Sequence, residues 1–265
     1  NLLKINRYHF MKSTVNKNIY NSLASIYDEL MKDISYEDWS DFIDEVIQTH
    51  NDAAVTLLEL GCGTGTFALS IDELDVYDIT ATDASTRMLE IAKTKAAYQK
   101  SSIVFEELNF FNIEKKEKFD AIIMLFDSIN YTQNHEELVH VLKEVQNVMN
   151  EESIFVFDFT TPVNSKIAEE TLDEEGVSGN YRFSRENRYL PYENIHYNEF
   201  TIEELDETGE VVATKKEVHK QRIYTLEEMK QAVSEAGYEL IAAYEGFDLV
   251  DATQASDRIT MVVRL

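Results

Sequence analysis

Residues 57–69, LLELGCGTGTFAL, pass from a continuous apolar stretch into three glycines within five positions, and then into helical spacing at Phe67, Ala68 and Ile71. A short apolar run bounded by turn residues reads as a strand buried on both faces. Gly61, Gly63 and Gly65 allow backbone angles and close approaches that a side chain forbids. A ligand loop between a buried strand and a helix belongs at the carboxyl edge of a parallel sheet. That one segment restricts the fold more than any composition does.

The rest of the chain extends the pattern. YDITATD (77–83) reads as a second strand, and a helix follows it, capped by Ser85 or Thr86. SIVFEELN, FDAIIMLF and SIFVFDF supply three more strands, and Leu138, Val141, Leu142 and Val145 mark the helix between the last two. Upstream, residues 16–33 show Ile19, Leu23, Ile26, Tyr27 and Leu30 at helical spacing, and a second amphipathic helix carries Trp39, Phe42, Ile43, Val46 and Ile47. Alternating strands and helices imply right-handed crossovers.

After about residue 160 the alternation stops. An aromatic, partly alternating stretch broken by the turn DETG reads as an antiparallel hairpin or small sheet. Helical spacing returns behind Thr225, with Glu228 completing a capping box and Gly237 stopping the helix. YELIAAYEGF and DRITMVVRL are two last strands, close enough to pair antiparallel. The expectation is a doubly wound, mostly parallel seven-stranded α/β sheet with an antiparallel C-terminal strand and a small antiparallel β insertion after strand 5. Residues 12–160 and 225–265 would form the core with its N-terminal helical cover, and 161–224 an inserted subdomain.

Charge narrows the partners. Asp and Glu number 50 against 24 Lys and Arg, a formal net charge of -26. Such a surface repels phosphate backbones and anionic headgroups, so nucleic acid and membrane are poor partners. The single cysteine, Cys62, allows no internal disulfide and suits a reducing cytoplasm. No apolar run approaches the roughly 20 residues of a membrane span, and the first residues do not read as a secretory signal. Met11 is a candidate start, with the ten residues before it left over from elsewhere.

The loop's chemistry turns on Glu59. The dinucleotide fingerprint is G-x-G-x-x-G with pyrophosphate on the helix N-terminus. Here the spacing is G-x-G-x-G, and a carboxylate stands two residues before it. Glu59 would repel a diphosphate and favour a cationic ligand such as S-adenosylmethionine. Asp83, at the end of the second strand, suits ribose hydroxyls, a feature shared with dinucleotide sites. LLELGCGTGTFAL, ITATDAS, EELNFFNI and FDAIIMLFDSINY together resemble the class I S-adenosylmethionine-dependent methyltransferases. YNSLASIYDELM and HKQRIYTLEEMKQAVSEAGY extend the likeness toward the branch that methylates glycine and sugar amines.

The resemblance implies a set of roles. Gly61, Gly63 and the Cys62 backbone would face the methionyl part, and Asp83 the ribose. Ala84 and Met88 would flank the adenine, though Met88 also fits a plain core position. Asn109 and Phe110 would border the adenine's polar edge, with Asn109 standing where the family commonly has an acid. Leu125 would offer its carbonyl to the ligand's ammonium. Gly65 serves either the ligand or helix–strand packing.

For catalysis the candidates are Asp127, after the fourth strand, and Tyr20 and Tyr27, seven apart on the first helix. Asp127 would attract an amine and accept its proton. On the insertion, Tyr192, His196, Tyr197, His219 and Arg222 would line a substrate lid or a homodimer interface. His135 and His140 are five apart and unlike H-E-x-x-H, and no metal is expected. The expected activity is methyl transfer to a small molecule, more readily at an amine nitrogen. O-methylation, a non-catalytic S-adenosylmethionine-binding scaffold and a nicotinamide-dependent oxidoreductase are the rivals.

Overall fold

The structure, a computed structural model, describes residues 20, 22–115 and 117–265. Met11 and positions 16–19 lie outside them. Helix α1 (Tyr27–Leu30) and helix α2 (Tyr36–His50) precede strand β1 (Thr56–Leu60). Then come α3 (Thr66–Asp72), β2 (Asp78–Asp83), α4 (Thr86–Gln99), β3 (Val104–Glu107) and β4 (Phe119–Met124). α5 (His135–Val145), β5 (Met149–Thr160) and α6 (Pro162–Thr171) follow. A second group holds β6 (Glu174–Ser178), β7 (Tyr181–Leu190), β8 (Ile195–Leu205) and β9 (Val211–Arg222). α7 (Leu226–Ala236), β10 (Glu239–Glu245) and β11 (Arg258–Arg264) close the chain.

Seven strands make one sheet in the order β10-β11-β5-β4-β1-β2-β3. β11 runs antiparallel to both β5 and β10, and the others are parallel, as the strand pattern implies. Period two along β1 explains its two cores. Leu58 and Leu60 join the apolar cluster under α5 and α7, while Leu57 joins the one under α2, α3 and α4. On α2, Ile43, Val46 and Ile47 are fully buried, each worth roughly 1.5–3 kcal/mol of burial. Eight consecutive buried residues, 153–160, make β5 the spine of the sheet.

Local signals set the helix ends. Ser85, not Thr86, caps α4 by accepting the Met88 N–H at 3.3 Å. Thr225 and Glu228 form the reciprocal capping box of α7, and Gly237 ends it at φ +94°. Gly65 answers the question its position raised: its φ is +73°, and a Cβ there would lie 2.9 Å from both the Ala92 methyl and the Phe105 ring. It is needed for packing of α3 against α4 and β3.

Two departures stand out. The continuous N-terminal helix is broken: a 3-10 turn at Leu23–Ser25 gives way at Ile26 (φ −120°, ψ 0°) to the four residues of α1. Its apolar residues are still used, because Leu23 and Ile26 pack on Phe183, Phe200 and Ile202 of the second sheet. The segment is held from outside, by the Glu217 carboxylate accepting the Tyr20, Ser22 and Leu23 amides at 3.0, 2.5 and 3.1 Å. The insertion is a four-stranded antiparallel sheet, β6-β7-β8-β9, preceded by α6, a helix absent from the sequence reading. At the DETG turn, Asp206 accepts the Thr208 and Glu210 amides at 2.8 and 3.0 Å.

Candidate active site

At the carboxyl edge of β1 the loop 61–65 turns on three positive-φ glycines, Gly61 (+80°), Gly63 (+54°) and Gly65. The Gly61 and Cys62 amides both donate to the Thr82 carbonyl at 2.8 Å, tying the loop to β2. Asp83 then holds the next turn. Its oxygens accept the Gly63 amide at 2.9 Å and the Ser85 amide at 2.8 Å. Burial raises the Asp83 carboxyl and these N–H groups pull the other way, the net direction being upward.

These residues wall an inner cavity of about 180 Å³. Glu59, Gly61, Cys62, Gly63, Asp83, Ala84, Met88, Asn109 and Phe110 all line it. Glu59 is its most unusual member. The side chain is 3 % exposed, and its Oε2 has no hydrogen-bond partner. Burial first, and the neighbouring Asp83 second, push its carboxyl up to about 8. A buried, unpaired acid of this kind is costly unless a cation or donor reaches it. Asn109 has its Oδ1 committed to the Phe111 amide at 3.0 Å, while Phe110 stacks on Phe111 at 5.0 Å between centroids.

Leu125 is the exception among the expected ligand contacts. It does not line the cavity, and its carbonyl already accepts the Ser128 hydroxyl at 2.8 Å and the Ser128 amide at 3.4 Å. The tight turn after β4 thus already engages the acceptor that the sequence reading offered to an ammonium.

A second, outer cavity of about 540 Å³ adjoins the first. Tyr20, Tyr27, Phe126 and Tyr131 line both, so the two chambers meet at a throat of aromatic rings. Tyr20 and Tyr27 do stand together, at 6.0 Å and nearly perpendicular, although a helix does not bring them there. Tyr20 has a left-handed φ of 72° instead. Burial raises both phenols well above their usual range, so they stay neutral.

Asp127 faces the outer chamber but is engaged. Its Oδ1 accepts Arg258 Nη2 at 2.7 Å and its Oδ2 accepts the Gln221 amide. Arg258 also pairs with the fully buried Asp158, whose carboxylate accepts the Asp127 N–H at 3.2 and 3.3 Å. Burial works against the Arg258 charge, yet Asp158 and Asp127 together hold it on. Burial and the Asp127 charge push Asp158 upward.

The second sheet roofs the outer chamber. His196 and Asn198 of β8 stand opposite Gln221 and His219 of β9 in register, and all four line it. His196 Nε2, Asn198 Oδ1 and Ser165 Oγ are buried without partners. Burial lowers the His196 ring, which is neutral near pH 7. Tyr192 is fully exposed, Tyr197 stacks with Arg188, and Arg222 binds Glu228 and the Glu193 carbonyl, so none of these three enters the chamber. His135 pairs with Glu235, and His140 with the Phe111 carbonyl, each at 2.8 Å. Among the described residues no helix is long and apolar enough to cross a membrane.

Tyr131, His219 and Arg258 line the outer chamber, and sequence reasoning missed them or left them as structural. Tyr131 sits in the quoted FDSINY, but its contact with His219 crosses 88 positions and depends on strand register.

Residues 57–152 match the family model described as a methyltransferase domain. The strand order above matches the class I S-adenosylmethionine-dependent methyltransferase fold. A Geobacillus protein named "Putative methyltransferase" is 27% identical over 250 residues, 92% of this chain and 99% of that one. The crystal structure of an S-adenosylmethionine-dependent methyltransferase from Clostridium acetobutylicum superposes with a TM-score of 0.76 at 25% identity, covering 93% of this chain and 98% of that chain. A sugar N-methyltransferase from Streptoalloteichus shares the fold at a TM-score of 0.68 and 17% identity, over 90% and 93%.

Proposed function

We propose that the inner cavity binds S-adenosylmethionine and that the outer one holds a small, hydroxyl-bearing amine whose nitrogen is methylated. The observation that carries the donor assignment is the buried Glu59 carboxyl with an unpartnered oxygen at the glycine loop. It fits a ligand whose ammonium would lie there and whose nucleoside would meet Asp83. Asp83 keeps acceptor capacity for ribose hydroxyls beyond the two amides it already binds. Ala84 and Met88 would form the walls of the adenine slot, with Asn109 and Phe110 at its edge. Leu125 has no part in this assignment.

When bound, S-adenosylmethionine supplies a methyl group already activated by a sulfonium. The protein's task is then alignment in a dry site, which can lower the barrier by several kcal/mol. Tyr20, Tyr27, Phe126 and Tyr131 form the passage through which acceptor and donor meet. The outer cavity's acids, Asp127 and Asp257, are matched by Arg185 and Arg258, so the rings of Trp39, Phe126 and Phe247 are what would face a cation there. His196, Asn198 and Ser165 offer unfilled hydrogen bonds to hydroxyls. The activity named for the Streptoalloteichus neighbour, sugar N-methylation, agrees with that chemistry. Because Asp127 is ion-paired with Arg258 as well as bonded to Gln221, its part is charge balance and anchoring rather than proton abstraction.

The experiment is formation of S-adenosylhomocysteine with a panel of amino sugars and amino alcohols, set against phenols and carboxylic acids. Methylation confined to amines is expected. Turnover of a phenol or carboxylate while every amine fails would overturn the nitrogen assignment.

A further inference from the structure

An amine that arrives as an ammonium has no lone pair for attack, and Asp127 is already bound by Arg258 and Gln221. A different chain of groups leads away from the throat. The Tyr20 and Tyr131 hydroxyls are 2.5 Å apart, and the Tyr131 hydroxyl is 2.8 Å from Nδ1 of His219. His219 is 2 % exposed. Its other nitrogen, Nε2, has no hydrogen-bond partner but lies 3.5 Å from Oε2 of Glu217. That carboxylate is fixed by the three amides of the segment that carries Tyr20.

Resting on the methyl-transfer reading above, we propose that Tyr20, Tyr131 and His219 form a proton relay from the acceptor nitrogen, with Glu217 as the positioning residue that orients His219 and holds Tyr20 in place. In the neutral ring Nδ1 accepts from Tyr131, so the proton sits on Nε2 and faces Glu217. Tyr131 in turn accepts from Tyr20, which leaves the Tyr20 oxygen an acceptor toward the throat. The substrate N–H bond breaks as its proton passes to the Tyr20 oxygen. Tyr20 passes its own proton to Tyr131, and Tyr131 passes its own to Nδ1. The amine regains its electron pair and His219 becomes an imidazolium opposite Glu217, returning the proton to water between turnovers. The tyrosines never ionise in this scheme, which suits their buried, strongly raised hydroxyls. The arrangement of an acid, a histidine and a hydroxyl repeats the logic of hydrolytic triads with a different proton donor.

A protonated His219 reverses every hydrogen bond in the chain, so that Tyr20 points a proton at the throat and repels an ammonium there. This gives a test that needs no acceptor. In sinefungin an amine-bearing carbon replaces the methylated sulfur of the donor, so its ammonium probes the throat. S-adenosylhomocysteine lacks that amine but shares the rest, so titration of Glu59 and Asp83 cancels in the ratio of the two affinities. The titratable groups facing His219 are Glu217 on its own strand, Tyr20 and Tyr131, with Phe200 its neighbour on β8. Asp127 and Asp83 are the further charges that act on the two tyrosines.

The preference for sinefungin over S-adenosylhomocysteine, measured by calorimetry, is expected to fall about tenfold between pH 8 and pH 5.5 in the native protein. In H219N and Y131F it should stay flat within about twofold, with native circular dichroism and thermal melts as the check on folding. The same pH dependence in all three proteins, or a flat ratio in the native one, overturns the relay. Failure of both ligands to bind the native protein overturns the donor reading instead.

Discussion

Arg258 holds Asp127 through a 2.7 Å contact between Nη2 and Oδ1, across 131 positions of sequence. Its other nitrogen takes the fully buried Asp158, so one guanidinium bridges two acids at the junction of β4, β5 and β11. Removing a partner from a buried ion pair leaves an uncompensated charge, a loss of about 3–5 kcal/mol. R258L should therefore lower stability by about that much in urea denaturation. R258L/D158N should recover part of it, because one stranded charge is gone. Equal stability of R258L and the native protein would mean that the cluster is solvated.

The Glu59 carboxyl gives stability a pH dependence of unusual sign. Its folded value, about 8, lies above the ordinary carboxylate range, so the folded chain binds the proton more tightly than the unfolded one between those limits. Stability present at low pH is lost as pH rises through that window, about 2 kcal/mol from pH 6 to pH 8. E59Q should abolish this slope in paired urea titrations. A native slope unchanged by E59Q would show that Glu59 is not the group responsible.

Glycines at positive φ are not equivalent. At Gly209 a Cβ would meet open space, and G209A should cost about 1 kcal/mol from backbone strain alone. At Gly65 the added methyl also meets Ala92 and Phe105, so G65A should cost a further 1–3 kcal/mol. Thermal melts of the two variants, compared with the native protein, measure the difference.

Sequence revealed what local pattern governs. The β1 run, the glycines and Asp83 were legible because burial on both faces and positive φ leave marks within a few residues. So was the antiparallel end, where β10 and β11 lie close in sequence. The α6 helix was not, since Thr161 and Pro162 mark its start but only Ser165 and Ala168 are buried on it. The partner of the Leu125 carbonyl was not legible either, because it depends on the turn that follows, here Ser128. Tyr20 and Tyr27 were right as neighbours for a reason the helical spacing did not supply, the clamp from Glu217. The His219–Tyr131 contact and the Arg258 bridge are products of long-range register, invisible to periodicity.

The donor assignment stands or falls on isothermal titration of the purified protein with S-adenosylmethionine and with NAD at pH 6 and pH 8. We expect binding of the former alone, tighter at pH 8, with proton release that appears as a buffer-dependent heat and vanishes in E59Q. Tight uptake of NAD with no heat from S-adenosylmethionine or S-adenosylhomocysteine would contradict it.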